Sequence, residues 1–440
     1  MVKILPNIIF SLILIFALGF FIRNIQRLIK VIKMGKPIDR TDNPSKRFSN
    51  LVRIALGQSK MVTKPVSGFL HVIVYVGFII INIELLEILI DGVTGSHRFF
   101  SKYFNPFFYD FLIASFEILA LLVLISVIIF WTRRNIMNIK RFLSAEMKGW
   151  PKFDADNILY FEVVLMLLFL SMNATDLILQ DRGFEGYYKA GAFPISSFLV
   201  PIFDSLDTST VYLYERIFWW SHILGILFFL NYLYYSKHLH ILLAFPNTYY
   251  SNLEEKGKFG VLESVKNEVM LMFYPERASN ENNQVEKFGA SDVLDLNWVQ
   301  LMNAYSCTEC GRCTTECPAN QTGKKLSPRK IMMDTRDRLE KVSLNISKNK
   351  GEFLDDGDRL LDNYISKEEL WACTSCNACV EACPINIDPL SIIMDMRQYL
   401  IMEESSAHPD LNNMMNNIEN NGAPWPYNQL DRELWAQETQ

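Results

Sequence analysis

Outside residues 307–383 the chain has no cysteine, since all eight fall in that window. No thiol is left for a disulfide framework elsewhere, which excludes a fold stapled by bridges. Histidine is scarce too, at six in 440 residues. The net charge is -5 and the cysteine-containing half is not basic, so the electrostatic footprint of a nucleic-acid-binding face is missing. What the chain has in quantity is apolar and aromatic: 50% hydrophobic residues, with 31 Phe and 18 Tyr. That is rich for a soluble protein of this length, so a membrane part is expected.

Five stretches supply it. Leu5 to Phe21 is apolar and followed by Arg23, Arg27 and Lys30, with no small-residue cleavage site, so it reads as a retained helix and not as a signal peptide. Val66 to Ile90, Phe111 to Trp131, Ile158 to Leu179 and Ile217 to Ser236 follow, each near the ~20 residues a helix needs to cross a bilayer. Lysine and arginine in the connections set the expected orientation. Arg23 to Pro65 and Thr132 to Asp156 together carry seventeen, against four in Asp91 to Asp110 and Gln180 to Tyr212. The rule that positive loops stay inside puts the N-terminus outside and the cysteine domain in the cytoplasm.

The cysteines form two copies of one pattern, C-x2-C-x2-C-x3-C-P: CTECGRCTTECP at 307–318 and CTSCNACVEACP at 373–384. Three thiolates on one tight turn can hold three corners of a cubane. In bacterial two-cluster ferredoxins the fourth cysteine ligates the other cluster. On that pattern Cys307, Cys310, Cys313 and Cys383 hold one [4Fe-4S] cluster, and Cys373, Cys376, Cys379 and Cys317 hold a second. Zinc is the competing metal, but two cysteine pairs would suffice for it, and zinc explains neither the third cysteine nor the closing Cys-Pro. Asp292 to Tyr305 has helical apolar spacing leading into the first run. After each run a cap residue and a proline open a helix, at Ser327-Pro328 and Asp388-Pro389.

Four histidines lie in or against the spans: His71, His222, His238 and His240. A bis-histidine haem needs two imidazoles at one depth on facing helices. His71 opens the second span and the His238–His240 stretch closes the fifth, both at the cytoplasmic end, whereas His222 lies near the outer end. Eighteen residues, five helical turns, put His240 on the face of His222 and turn His238 away. His71 and His240 are therefore the expected ligands of one haem b. A packing histidine or an interfacial basic end at KHLH fits the same residues. A second haem would need a partner for His222 near Ile81 and Asn82, and no histidine is there. Glu84, Glu87, Glu117 and Asp176 are intramembrane carboxylates, functional candidates by default. His222, Asn82 and Glu84 form the candidate quinone site.

Five spans with histidines on the second and fifth, carried by LGQSKMVTKPVSGFLH and SKHLHIL, resemble the cytochrome b (gamma) subunit of respiratory nitrate reductase and the membrane subunit of heterodisulfide reductase. CTECGRCTTECPANQTGKKLSP and ELWACTSCNACVEACPINIDP resemble heterodisulfide-reductase-related iron–sulfur proteins. The first family binds two haems with two histidines on its second helix, where this chain has only His71. The second often continues into a cysteine-rich catalytic domain, and no further cysteine follows here.

The expected fold is mainly α: a five-helix transmembrane bundle, then an α-helical dicluster ferredoxin-like domain. The expected division is 1–245 membrane haem b and quinone domain, 246–291 linker, 292–403 two-cluster domain, and 404–440 tail. The resemblance implies an oxidoreductase subunit of a bacterial or archaeal cytoplasmic membrane. It would pass electrons between quinone and a separately encoded cytoplasmic subunit bearing the cysteine-rich domain. A membrane-anchored iron–sulfur sensor or scaffold without haem is the alternative. No catalytic residue is assigned, and the aromatic tail is the expected docking segment, the alternative being that Trp425 and Trp435 fold back and cover the clusters.

Overall fold

The computed structural model describes residues 4–261, 263–275 and 287–437. Five helices are long and apolar enough to cross a membrane: α1 (Leu5–Ile32), α2 (Pro65–Thr94), α3 (Pro106–Asn135), α4 (Trp150–Asp181) and α5 (Thr208–Tyr232). Proline stands in the first turn of α1 to α4, where its missing N–H costs nothing. Each of the five packs on the next, and α1 closes the ring against α5. Among the described residues there is no β-strand, only two isolated bridges.

The fifth span is not one helix through to the histidines. It ends at Tyr232, passes through a tight turn at Leu233–Tyr235, becomes extended at Ser236 (φ -112°, ψ 151°) and turns again at Lys237–Leu239. Only then does α6 (His240–Tyr249) begin, and it runs through position 245, where a domain boundary was expected. Helix α7 (Glu263–Phe273) follows. The low-complexity run beginning at Ala278 lies outside the described residues.

The cysteine domain is docked on the bundle rather than tethered to it. Its helices are α8 (Trp298–Ser306), α9 (Pro328–Lys348) and α10 (Pro389–Met402), the last two capped by Ser327 and Asp388 as their sequences indicate. One apolar core joins Leu28, Val31 and Ile32 of α1, and Leu239 and Leu243 beside the histidines, to Val299, Met302, Ile331 and Ile393. At the seam the Lys36 N–H donates to the Leu296 carbonyl (2.8 Å), and the Trp298 N–H to the Lys36 carbonyl (3.1 Å). Gly35 makes that approach feasible, because a Cβ there would sit 2.6 Å from the Trp298 nitrogen. Two buried arginines grip the basic loops: Arg312 donates to the Lys60 and Met61 carbonyls (3.1 Å each), and Arg329 to the Arg141 carbonyl (2.6 Å) and Glu146 (2.7 Å).

Helix α11 (Pro409–Asn421) and the tail beyond it lie on the outside, with Trp425 60% and Trp435 71% exposed. The tail aromatics do not fold back as a cover over the cysteine loops.

Within the domain, Arg338 is fully buried and donates to Asp292 (2.6 Å), Asp356 (2.7 Å) and the Asp358 carbonyl (2.5 Å). Arg338→Ala leaves two carboxylates facing each other without their cation, a loss of about 3 kcal/mol. A lowered urea midpoint by circular dichroism is the expected result, and an unchanged midpoint would show the triad to be idle.

Candidate functional site

Each cysteine run folds around two left-handed residues at the same two places, Glu309 (φ 56°) and Gly311 (φ 72°) in the first, Ser375 (φ 57°) and Asn377 (φ 60°) in the second. These reversals curl the backbone so that successive cysteines face inward and a short helix follows, Arg312–Thr315 or Ala378–Ala382. Backbone N–H groups point at sulfur: Ser375 toward Cys373 (3.4 Å) and Ile387 toward Cys383 (3.3 Å). Gly311 has a second reason to be glycine, since a Cβ would lie 2.6 Å from the Arg329 guanidinium.

The two runs interleave. Cys307, Cys310, Cys313, Cys379 and Cys383 line one cavity of about 440 Å³. Cys383 lies within charge range of Cys310 and Cys317 within that of Cys373 and Cys379, while Cys379 also lies within that of Cys313. No cysteine is in a disulfide. Among the described residues no three Cys, His, Asp or Glu side chains converge to hold a single ion. Burial pushes the thiols of Cys307 and Cys383 up, to about 12 and about 11. Iron loading must therefore release protons as the thiolates form. Cys376 is the exposed member of the second set.

The same 440 Å³ cavity is also lined by imidazoles, apolar and aromatic side chains and one carboxylate: His71, Val74, Tyr75 and Phe78 from α2, Ile158 and Glu162 from α4, and His238, His240 and Ile241. His71 Nδ1 is buried with no hydrogen-bond partner. His240 Nδ1 is held by the Lys237 carbonyl at 3.1 Å, which leaves its Nε2 uncommitted. His238 does not point away. Its ring stacks on that of His240 (centroids 5.5 Å apart, planes 6° apart) and its Nε2 lies 3.9 Å from Glu162. Counting turns between His222 and His240 assumes one continuous helix, and the break at Ser236 removes that premise. Burial, then the charges of His240 and His71, hold His238 down at about 3, so it is neutral. His238 Nδ1 is buried without a partner as well, so three imidazoles line the cavity, two orphaned and one oriented by a backbone carbonyl, and nitrogen donors of this kind fit haem iron.

His222 is elsewhere. It is buried on α5 with Nδ1 on the Leu165 carbonyl (3.1 Å), and with Asn82 and Glu84 it lines a cavity of about 140 Å³ that adjoins the larger one, the two sharing Val74, Phe78, Glu162, His238 and Ile241 as walls. The remaining carboxylates are not free proton handlers. Arg98, which the sequence offers only as a loop charge, is buried and donates to Asp176 (2.8 Å), Glu84 (3.0 Å) and Asn173 (2.7 Å). Glu87 accepts from the Tyr109 hydroxyl (2.9 Å) and the Phe100 N–H (2.7 Å), and Glu117 from the Ile195 and Ser196 N–H groups (2.8 and 3.1 Å). Among these four carboxylates only Glu84 keeps a buried, unpartnered oxygen, its Oε2. The role of Lys237 is also absent from the sequence reading: the lysine of KHLH carries no signal of the buried carboxylate it meets.

Residues 306–387 match the family described as 4Fe-4S dicluster domain, and they contain all eight cysteines, the complement for two such clusters. Over 98% of its length the chain is 27% identical to the probable iron-sulfur-binding oxidoreductase FadF of Bacillus subtilis, covering 61% of that protein. Over 97% it is 23% identical to the EtfAB:quinone oxidoreductase of Syntrophomonas wolfei, covering 59%. The cysteine domain is 28% identical to a heterodisulfide reductase C-like protein of Archaeoglobus profundus, over 32% of this chain and 61% of that one. The chain thus spans about three fifths of its first two relatives. No solved structure matches it.

The interleaving can be checked in two ways. The purified protein should contain about eight iron and eight acid-labile sulfide per chain, and stoichiometric zinc without sulfide would refute this. Cys383→Ser should alter the paramagnetic resonance of the cluster on the first run, and Cys317→Ser that of the second.

Proposed function

We propose that this protein is the membrane electron-transfer subunit of an oxidoreductase, passing electrons between the quinone pool and a cytoplasmic redox partner through one haem b and two [4Fe-4S] clusters. One observation carries the reading: His71 and His240 line the same cavity as Cys307, Cys310, Cys313 and Cys383. A haem there would supply one-electron chemistry. His71 and His240 would hold it. The Lys237 carbonyl fixes the His240 tautomer, and Val74, Phe78 and Ile158 keep water away.

The residues order the rest of the path. Each set has two buried cysteines, but the second alone has an exposed one, Cys376, which supports the second set as the port toward a soluble partner. His222, Asn82 and Glu84 line the smaller cavity, which reaches from them to His238 at the wall of the first; quinol there would give up two protons with its two electrons, and the unpartnered Glu84 Oε2 is an acceptor available. The relative named a quinone oxidoreductase supports that substrate class. Orientation rests on the basic loops: the same two that carry the excess of lysine and arginine are gripped by Arg312 and Arg329 of the cysteine domain, which supports a cytoplasmic position for that domain. The boundaries 1–245, 246–291, 292–403 and 404–440 remain a useful division of labour, although α6 runs across the first of them. The exposed Trp425, Tyr427, Leu430 and Trp435 are aromatic and apolar anchors of the kind that dominate interfaces, and we assign them to docking a cytoplasmic subunit that bears a cysteine-rich domain.

A dithionite-reduced spectrum should show a sharp haem α-band. His71→Ala and His240→Ala should each abolish it and His238→Ala should leave it. A broad iron–sulfur shoulder alone, in the wild type, would instead favour a membrane-anchored redox sensor. Deleting residues 424–440 should release the partner with both clusters intact, and loss of a cluster on deletion would refute the docking role.

A further inference from the structure

Lys237 touches both halves of the shared cavity. Its backbone carbonyl accepts the His240 Nδ1–H at 3.1 Å. Its ammonium, only 10% exposed, reaches the Glu309 carboxylate, itself 2% exposed, and donates to the Pro151 carbonyl at 2.6 Å. Its N–H donates to Asp154 at 3.0 Å, and the other oxygen of Asp154 accepts the Tyr232 hydroxyl at 2.6 Å. Glu309 stands inside the first cysteine run, between Cys307 and Cys310, in a left-handed conformation that a glutamate rarely adopts (φ 56°). Its second oxygen accepts from Arg336 at 2.9 Å.

A buried pair of this kind is weak evidence for stability, because removing both charges from water offsets most of what their attraction returns. Its placement suggests a different use. The strained loop residue, the lysine and the imidazole are consecutive links from one redox site to the other. Among the described residues the charges facing the pair are Arg336, Asp154 and, more distantly, Arg134.

We propose that Lys237 is a positioning residue that holds His240 and the first cysteine loop in register and, through Glu309, sets the reduction potential of the cluster on that loop. The inference rests on the reading of the first run as cluster-binding. One-electron reduction adds a negative charge to the cluster without breaking a ligand bond, so nearby positive charge favours the reduced form and nearby negative charge opposes it. In the native loop Lys237 and Arg336 together compensate Glu309. Lys237→Met leaves the carboxylate with one cation and lowers the potential. Glu309→Gln leaves two cations without their anion and raises it. The double variant removes both members and returns toward the wild-type value.

The test is a potentiometric titration of the full-length protein in detergent, followed by paramagnetic resonance, for the wild type, K237M, E309Q, K237M/E309Q and K237R. Opposite shifts of the first cluster in the two single variants, cancellation in the double, and an unmoved second cluster are the expected result. K237R, which keeps the charge, should stay near the wild type. Shifts of the same sign in both single variants, or none, would overturn the proposal, because a merely structural lysine disturbs the loop alike in either variant. A wild type without any iron–sulfur signal would instead refute the reading of the cysteine runs, and the proposal with it.

Discussion

The direct seating of the cysteine domain on the end of the helix bundle is the constraint on which the other features depend. If that domain hung on a flexible linker, no cavity could be shared between imidazoles of the spans and thiols of the loops. The seating is achieved by ordinary means: an apolar core continuous from α1 into α8, a backbone exchange at Lys36 made feasible by Gly35, and buried arginines whose planar forks meet several acceptors at once. Arg312 and Arg329 donate to the Lys60, Met61 and Arg141 carbonyls of the basic loops, so they satisfy backbone that would otherwise be buried without partners.

The two ends of the bundle solve different electrostatic problems. At the cysteine end, burial disfavours charge on the thiols and on His238, and a loaded metal centre would reverse that balance by favouring thiolate. At the other end four acidic side chains lie at or near membrane depth, and a single arginine from a loop answers two of them while N–H and hydroxyl donors answer the others. Charges in such surroundings persist when they are paired. Glu84 is the exception worth following, with one oxygen on Arg98 and the other bare.

Patterns that repeat along the chain were legible without a structure. The five spans, the duplicated cysteine runs and the capped helices after them depend on local periodicity, and each is present close to where its residues indicate. The choice between His238 and His240 depended on helical phase, and phase does not survive a break. Ser236 in an extended conformation carries no strong breaker signal, because serine tolerates helix and turn alike. The carboxylates of the spans were legible as a group, but their partner Arg98 was not, since a loop arginine acquires its role only when the loop folds inward.

The sequence by itself determined that this is a membrane protein with five apolar helices and a domain of eight cysteines in two matching runs, because bilayer thickness and cubane ligation both impose spacings that can be counted along a chain. Only the tertiary structure decided that the runs and the histidines face one cavity, that His238 lies against His240, and that Lys237 reaches Glu309 seventy-two residues away. Those are contacts between segments far apart in the chain. They arise from how the elements pack, and no local pattern records them.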